Sequence, residues 1–204
     1  MSNQIVLVGA GAFGRETLCW LRDAQPNVQI AGFMDDGGNT SGGLPWLGTT
    51  SEAVIHAEHR FLVTIADPTG RQLVAERLRG RGAQFASLVH PTAVIASSVK
   101  LGEGGIFCPY SVASVDATIG SFVIVNVHSS VGHDVQIGSY STLSSHVDLT
   151  GGVRLGERVS IGSSACILPG VSVGDDANIG AGAVVVRSVP SGSTVYTQPA
   201  KRLR

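Results

Sequence analysis

The segment from Asn126 to Asp134 holds the side chains of this chain that are best suited to chemistry. A neutral imidazole accepts a proton near neutral pH, so His133 is a candidate general base. Asp134 follows it directly and is placed to keep the ring in one tautomer and raise its basicity. The alternative is a His–Asp surface pair without chemistry. The elements that position the two residues decide between these interpretations.

Those elements follow a strict period of six residues. An apolar residue occurs at every sixth position from Val89 to Val185, at seventeen positions in succession, and a small residue or valine follows four places after each. An α-helix repeats at about 3.6 residues and a plain strand at about two, so neither predicts this pattern. A left-handed parallel β-helix does, because each hexapeptide supplies a short strand and a corner, and three hexapeptides close a triangular coil.

This coil predicts which residues are neighbours in space, since residues three hexapeptides apart stack at about 4.8 Å on adjacent coils. Val131 should point inward, whereas His133 and Asp134, third and fourth in their hexapeptide, should point outward at a corner. One full coil after His133 comes Gly151. An imidazole and a glycine N–H would then lie side by side on one outer edge, a base and an oxyanion donor, which suits acyl transfer.

Two further histidines, His128 and His146, are also separated by one full coil and are predicted to stack. Together with His133 they suggest zinc binding as an alternative, but a catalytic zinc needs three converging protein ligands. The other interpretation is a spare polar pair on the wall of a groove.

The residues before the coil predict a separate α/β domain. They contain a short strand over 5–8, a G-x-G-x-x-G turn over 9–14, a helix over 15–24, and a second strand over 28–34 that ends at Asp35 and Asp36. This is the start of a mononucleotide-binding βαβ unit, in which glycines and a helix N-terminus approach phosphate and an acidic residue binds ribose or base. A dinucleotide fold needs two such halves. The short domain therefore favours a nucleotide or nucleotide sugar over NAD, with a purely structural glycine turn as the alternative.

The full organisation is an α/β N-terminal half-Rossmann domain over 1–88, a left-handed parallel β-helix over 89–190 and a tail over 191–204. Within the first domain we also expect a helix over 51–57, a strand over 60–66, a turn and helix over 67–79 and a strand over 84–89. His56 and His59 should be solvated near a surface helix. The glycine-rich segment Gly37–Gly43 is either a loop that closes over a ligand or an inert connector.

Composition excludes several function classes. The net charge of −1 leaves no basic surface for nucleic acid. No apolar run approaches the roughly 20 residues that span a bilayer, and the N-terminus does not resemble a secretory signal. Three scattered cysteines, Cys19, Cys108 and Cys166, are predicted to be free thiols. We therefore expect a cytoplasmic protein without membrane insertion.

With these motifs the chain resembles the sialic-acid O-acetyltransferase (NeuD)-like family, and within it the PglD-like nucleotide-sugar N-acetyltransferases. The resemblance covers nearly the whole chain, through the Val-Gly-Ala-Gly start, Asp35-Asp36, the Ile65-Ala-Asp-Pro stretch with Arg71, Val89-His-Pro91 and Gln198-Pro-Ala-Lys201. It implies a homotrimer that uses acetyl-CoA as co-substrate and no metal. It also implies that a nucleotide amino sugar lies on the N-terminal domain and that the catalytic histidine comes from an adjacent subunit's coil.

The resemblance further implies roles for single residues. His133 would be the general base, Asp134 its partner carboxylate and Asn126 a polar wall residue near the base. The residues that would bind the cofactor are Thr142, Gly151 through its N–H, and Ser163 and Ala181 in the pantetheine groove. Those that would border the nucleotide sugar are Gly9, Gly11, Ala12, Phe13, Asp35, Asp36 and Ala66.

Three positions depart from the family pattern. Thr142 stands where relatives often carry a second histidine that contacts CoA, which weakens or replaces that contact. Ala66 and Pro68 replace a usual Gly and Asn, which puts the sugar or nucleotide preference in doubt. Gln198 replaces the usual Gly-x-Pro before the terminal Ala-Lys.

The reaction expected from the resemblance is acetyl transfer from acetyl-CoA to the amino group of a nucleotide-linked amino sugar, such as a 4-amino-4,6-dideoxyhexose. His133 would take the proton, and no residue is obviously placed to form an acyl-enzyme. The alternatives are O-acetylation of sialic acid or a related sugar, a non-catalytic trimeric scaffold, and a zinc lyase of the gamma-carbonic-anhydrase type. The carrier (UDP, dTDP or GDP) and the acyl chain stay open.

Overall fold

A computed structural model of the chain describes residues 4–38, 42–198 and 200. An α/β domain is followed by a parallel β-helix, which confirms the predicted fold class. Residues 39–41 of the glycine-rich segment and part of the tail lie outside the described residues, so the question of loop closure falls partly outside them. Neither helix in the described chain is long and apolar enough to cross a membrane.

The α/β domain is half the size of a dinucleotide fold. Its parallel sheet has the strand order β2-β1-β3, and its elements are β1 (Gln4–Val8), α1 (Ala12–Ala24), β2 (Gln29–Met34), β3 (His59–Val63) and α2 (Pro68–Gly80). A Cβ on Gly14 would lie 2.1 Å from the Gly9 carbonyl oxygen. Glycine is therefore what allows α1 to pack this closely against the end of β1.

The predicted helix over 51–57 is wrong, because this segment forms turns instead. Its backbone groups are bound by residues from elsewhere: the Thr50 N–H donates to Asp36 at 2.7 Å, and Arg81 donates to the Thr50 and Ala53 carbonyls. Carbonyls that accept hydrogen bonds from a distant guanidinium compete with those that a helix would need. Only one helix-like bond remains, from the Ala53 N–H to the Thr49 oxygen at 3.0 Å.

His59 is also misplaced by the sequence prediction, since it begins β3 and is 8% exposed. Its ring packs edge-on against His56 and Phe61. Among the described residues its Nδ1 atom has no hydrogen-bond partner. Burial, with a smaller contribution from His56, lowers the pKa of His59 below its usual value.

The coil is built from two-residue strands that form three parallel sheets. Sheet I contains β4, β7, β10, β13, β16, β19 and β21, sheet II contains β5, β8, β11, β14, β17 and β20, and sheet III contains β6, β9, β12, β15 and β18. The strands are β4 (Leu88–Val89), β5 (Val94–Ile95), β6 (Lys100–Leu101), β7 (Ile106–Phe107), β8 (Val112–Ala113), β9 (Thr118–Ile119), β10 (Ile124–Val125), β11 (Ser130–Val131), β12 (Gln136–Ile137), β13 (Thr142–Leu143), β14 (Asp148–Leu149), β15 (Arg154–Leu155), β16 (Ser160–Ile161), β17 (Cys166–Ile167), β18 (Ser172–Val173), β19 (Asn178–Ile179), β20 (Val184–Val185) and β21 (Thr194–Val195). Paired residues are three hexapeptides apart, as Val131 and Leu149 are, which confirms the predicted register.

The corners explain why the third and fourth positions face outward. The fourth residue takes a left-handed backbone, with φ of 59° at Asp134 and 60° at His146. This conformation is unfavourable for residues other than glycine. It is stabilised here by hydrogen bonds to the preceding coil, such as the one from the Asp134 N–H to the Val115 oxygen at 3.1 Å.

The first and fifth positions fill the interior of the coil. Val131 and Val135 are 1% and 0% exposed, and most other residues at these positions join the same apolar cluster. The first coil is an exception, because Val89 and Leu101 are 41% and 42% exposed. No coil precedes them, so one side of each residue has nothing to pack against.

The α/β domain packs on the outer face of sheet I. Outward-facing Leu88, Ile106 and Ile124 are buried in one cluster with Leu18 and Leu21 of α1. Burying an aliphatic side chain fully contributes about 1.5–3 kcal/mol relative to leaving it exposed. The two domains therefore share a core and hold each other in position.

Arg71 of α2 ties the domains together by hydrogen bonds. Its side chain is fully buried. Nε donates to the Phe122 carbonyl at 2.8 Å, and one terminal nitrogen donates to the Tyr140 carbonyl and to the Thr142 hydroxyl. Burial lowers the pKa of Arg71 to about 9, so it is still a cation at neutral pH.

We expect Arg71→Met to destabilise the protein by about 3 kcal/mol, because several buried carbonyls would lose their donors. Urea unfolding measures the change. The matched control is Arg154→Met, an exposed arginine of sheet III, for which we expect a change within about 0.5 kcal/mol. A loss below about 1 kcal/mol for Arg71→Met would contradict the role of Arg71 as the link between domains.

Candidate active site

The C-terminal ends of β1, β2 and β3 border a cavity with a volume of 690 Å³. Every residue predicted to border the nucleotide sugar lines it, namely Gly9, Gly11, Ala12, Phe13, Asp35, Asp36 and Ala66. Asn126 of the coil completes the wall. The structure thus brings these eight residues together, and their roles in binding stay predictions.

The N-terminus of α1 opens into this cavity. Gly11 is its N-cap and provides no side-chain cap, and the first turn contains no acidic residue. The first backbone N–H groups of the helix therefore keep their hydrogen-bonding capacity and their partial positive charge. A cavity of this kind suits the phosphates of a nucleotide.

Both acidic residues of the cavity also have structural duties that the sequence did not reveal. Asp35 accepts hydrogen bonds from the Ala10 and Gly37 N–H groups at 2.8 and 2.9 Å. Asp36 accepts from Thr50 and from Arg77, which lies 3.1 Å away. Partial burial raises the pKa of Asp36, but these hydrogen bonds and the Arg77 charge outweigh it, so the pKa lies below its usual value.

Thr64 is a lining residue that sequence reasoning missed. Its hydroxyl donates to the Gly9 and Val8 carbonyls at 2.7 and 3.0 Å, which holds the glycine turn against the end of β3. The available signal was its place just beyond an apolar strand, because ligands of open parallel sheets bind at the carboxyl ends of strands.

Ala66 is held in the cavity wall from two sides. Its carbonyl oxygen accepts from the Thr142 hydroxyl at 2.8 Å and from Arg71 at 3.0 Å. Thr142 is only 7% exposed and lies in the domain interface, whereas Ser163 and Ala181 are exposed. The predicted cofactor contact of Thr142 stays a prediction, and in this structure its hydroxyl already binds the α/β domain.

His133 lies outward at a corner, with its side chain 64% exposed. Its Nδ1 atom is 2.8 Å from a carboxylate oxygen of Asp134. Since a carboxylate only accepts hydrogen bonds, the proton is assigned to Nδ1, and Nε2 is left with a free lone pair. The pair therefore has the arrangement of an oriented general base.

The His133 ring lies directly over Gly151, as the repeat of three hexapeptides per coil predicts. A Cβ on Gly151 would be 2.3 Å from Nε2, so only glycine fits under the ring. Within the described chain the Gly151 N–H donates to no acceptor. A base and a free donor thus stand side by side, which is what acyl transfer requires.

His133 and the cavity lie on different corners of the coil. Asn126, Ser163 and Ala181 follow strands of sheet I, whereas His133 and Gly151 follow strands of sheet II. The cavity lining includes Asn126 but not His133. One protomer therefore does not bring the base to the cavity by itself.

His128 and His146 stack as predicted, with ring centroids 5.0 Å apart and planes at 9°. Tyr110 extends the stack below His128 at 5.1 Å. Among residues 4–38, 42–198 and 200, no three His, Cys, Asp or Glu side chains are placed to hold a metal ion together. The zinc alternative thus has no ligand set within the described part of a single chain.

The cysteines are free thiols, as predicted. Cys108 is buried, and this burial raises the pKa of its thiol well above the usual value. Burial also raises the pKa of Cys166, with a smaller contribution from Asp148. Neither is a reactive thiolate at neutral pH, so neither suits the formation of an acyl-enzyme.

A half-size nucleotide-binding domain joined to a hexapeptide coil with an outward His–Asp pair defines a hexapeptide-repeat transferase. Family models agree with this class. Residues 4–78 match the PglD N-terminal domain, and residues 152–187 match the bacterial transferase hexapeptide (six repeats).

Individual proteins narrow the class further. GDP-perosamine N-acetyltransferase of Escherichia coli O157:H7 is 34% identical over 136 residues, which cover 62% of this chain and 61% of that relative, less than two thirds of its length. PerB from Caulobacter crescentus, solved in complex with CoA and GDP-perosamine, is 30% identical with a TM-score of 0.87 over 98% of this chain and 96% of that one. WeeI from Acinetobacter baumannii is 32% identical with a TM-score of 0.88 over 99% and 100%. The chain belongs to the PglD-like family of hexapeptide-repeat acetyltransferases.

We expect Gly151→Ala to lower turnover about 100-fold, because the new methyl group displaces the His133 ring, and a shift of about 1 Å at a catalytic group has costs of this order. Steady-state kinetics with saturating substrates measures the effect. Gly80→Ala at the end of α2 is the matched control, since a Cβ there meets nothing within 4 Å. Equal turnover in the two variants would contradict the contact between His133 and Gly151.

Proposed function

We propose that this chain is an acetyltransferase that moves the acetyl group of acetyl-CoA to the amino group of a nucleotide-linked amino sugar. The observation that carries the proposal is the His133–Asp134 pair, which lies directly over the free N–H of Gly151. Support comes from PerB, which was solved with CoA and GDP-perosamine, and from the E. coli relative, which is named as a sugar N-acetyltransferase.

In this reaction the sugar amine attacks the thioester carbonyl carbon. A C–N bond forms, and Nε2 of His133 takes the proton of the attacking amine. The Gly151 N–H stabilises the developing oxyanion, and Asp134 stabilises the imidazolium. When the C–S bond breaks, the imidazolium returns the proton to the departing thiolate, so CoA leaves as the thiol and the base is regenerated.

The cavity of the α/β domain is the proposed site for the nucleotide sugar. Its volume of 690 Å³ suits a ligand of this size. The open N-terminus of α1 would bind the diphosphate, and the carboxylates of Asp35 and Asp36 keep lone pairs for ribose or base. The amino-sugar end, a 4-amino-4,6-dideoxyhexose in our proposal, would then lie at the coil near Asn126.

The proposal includes a homotrimer, because the base and the cavity lie on different corners of one protomer. Sheet II is bordered by both corners, one carrying Asn126 and the other His133. If sheet II of each protomer faces a three-fold axis, the Asn126 corner of one protomer meets the His133 corner of the next. Free thiols and the use of acetyl-CoA fit a cytoplasmic enzyme.

The proposed activity is tested by the release of the CoA thiol from acetyl-CoA in the presence of UDP-, dTDP- and GDP-linked amino sugars. We expect turnover with at least one of them, and a loss of about 10²- to 10⁴-fold in His133→Ala, as is typical when a general base is removed. Calorimetry of CoA binding to the same variant should give an unchanged affinity. Acetylation of a sugar hydroxyl instead, identified by mass spectrometry, would favour the O-acetyltransferase alternative.

The shared site is tested by mixing two inactive chains. Gly11→Val fills the cavity where a Cβ meets no other atom within 4 Å, and His133→Ala removes the base. In mixed trimers an intact cavity meets an intact histidine from the neighbour, so we expect activity well above that of either parent. If co-expression restores nothing while both variants still form trimers by light scattering, the base and the cavity belong to one chain.

A further inference from the structure

The corner that carries His133 continues toward the C-terminal end of the coil as a bare track that ends at a cation. Its third positions, one on each successive coil, are His133, Gly151, Pro169 and Arg187. The fourth positions on the coils after that of His133 are Gly152, Gly170 and Ser188. Between the base and Arg187 the edge thus has no side chain larger than a proline ring.

The track is open to a ligand. A Cβ on Gly170 would meet nothing within 4 Å, and one on Gly152 would meet nothing nearer than 3.9 Å. Both glycines have the left-handed backbone of the corner, with φ of 72° and 70°. An extended chain can therefore lie against the edge without displacing a side chain.

Charge gives the track a direction. On the N-terminal side of His133 the next corner carries Val115, which is 50% exposed, and Asp116. On the C-terminal side lies Arg187, which is exposed and forms no ion pair or hydrogen bond within the described chain. A polyanion with its reactive end at His133 is repelled in the first direction and attracted in the second.

Arg187 is distinguished from the other cations of the coil by its position. Residues 89–198 contain three more, Lys100, Arg154 and Arg158. Lys100 and Arg154 lie in strands of sheet III, and Arg158 is paired with Asp176 at 2.7 Å. Within that range only Arg187 stands on the edge of His133.

The distance along the track matches the arm of the cofactor. His133 and Arg187 are separated by three coils, or about 14 Å at ordinary strand spacing. From the thioester sulfur to the first phosphate, the pantetheine arm has about twelve backbone bonds, roughly as many as four peptide residues, and therefore also extends about 14 Å. The diphosphate then reaches Arg187 when the thioester is at the base.

The end of the coil also offers space for the nucleoside. Arg187 lines a cavity of 580 Å³ together with Val184, Val186 and Tyr196. These three apolar or aromatic side chains are 64%, 59% and 78% exposed. Apolar surface beside a cation suits a planar base attached to phosphate.

We propose that Arg187 binds the 5′-diphosphate of CoA, so that the cofactor lies along this corner with its thioester at His133 and its adenosine at the C-terminal end of the coil. The assignment rests on the proposed use of acetyl-CoA. It is independent of which sugar accepts the acetyl group.

The test compares Arg187→Ala with the wild-type protein using donors of different length. We expect the KM for acetyl-CoA to rise about tenfold with kcat unchanged, because one charge-assisted hydrogen bond in a binding contact is lost. The same increase should occur with acetyl-dephospho-CoA, which keeps the diphosphate. It should vanish with acetyl-pantetheine, which has no phosphate, and Arg187→Lys should recover most of the affinity.

The matched control is Arg154→Ala, which removes an exposed arginine from sheet III and should leave the KM unchanged. Calorimetry with CoA alone separates this proposal from the proposed function. CoA binding that depends on Arg187 in a protein without transferase activity supports the contact and overturns the activity. Transferase activity with an unchanged KM in Arg187→Ala, or an equal increase with acetyl-pantetheine, overturns the contact.

Discussion

The closure of each coil after three hexapeptides is the constraint on which the rest of the structure depends. A coil closes only if each hexapeptide turns a corner, and the corner requires a left-handed backbone at its fourth residue. Hydrogen bonds to the preceding coil offset the local cost, and the narrow interior accepts only residues such as Val131 and Val135. Because this pattern repeats without interruption, His133 lies over Gly151 and Arg187 lies on the same edge.

The second constraint is the attachment of the α/β domain to the coil. Arg71 crosses the interface, and its guanidinium and the Thr142 hydroxyl both bind the carbonyl oxygen of Ala66 in the cavity wall. A buried cation without a carboxylate contact is tolerated because carbonyl dipoles surround it. The same contacts that stabilise the interface therefore set the position of the cavity relative to Asn126 and to the coil.

The division of the site between two corners has a functional consequence. The cavity that suits the nucleotide sugar and the base that suits acyl transfer are each well formed in one protomer, yet they are not in contact there. Association would complete the site and cover the groove between coils, which excludes water from the thioester. Catalysis and assembly would then depend on the same surfaces.

The sequence by itself determined the β-helix, its register, the half-size α/β domain and the neighbours His133 and Gly151, because these follow from a translational repeat or from a local glycine turn. It also identified the cavity residues from Gly9 to Asp36. Only the tertiary structure decided the turns at 51–57, the burial of His59 and the place of Thr142. Each of these depends on contacts between residues far apart in the chain, such as Arg81 with Ala53 and Arg71 with Thr142, and no periodicity encodes such contacts.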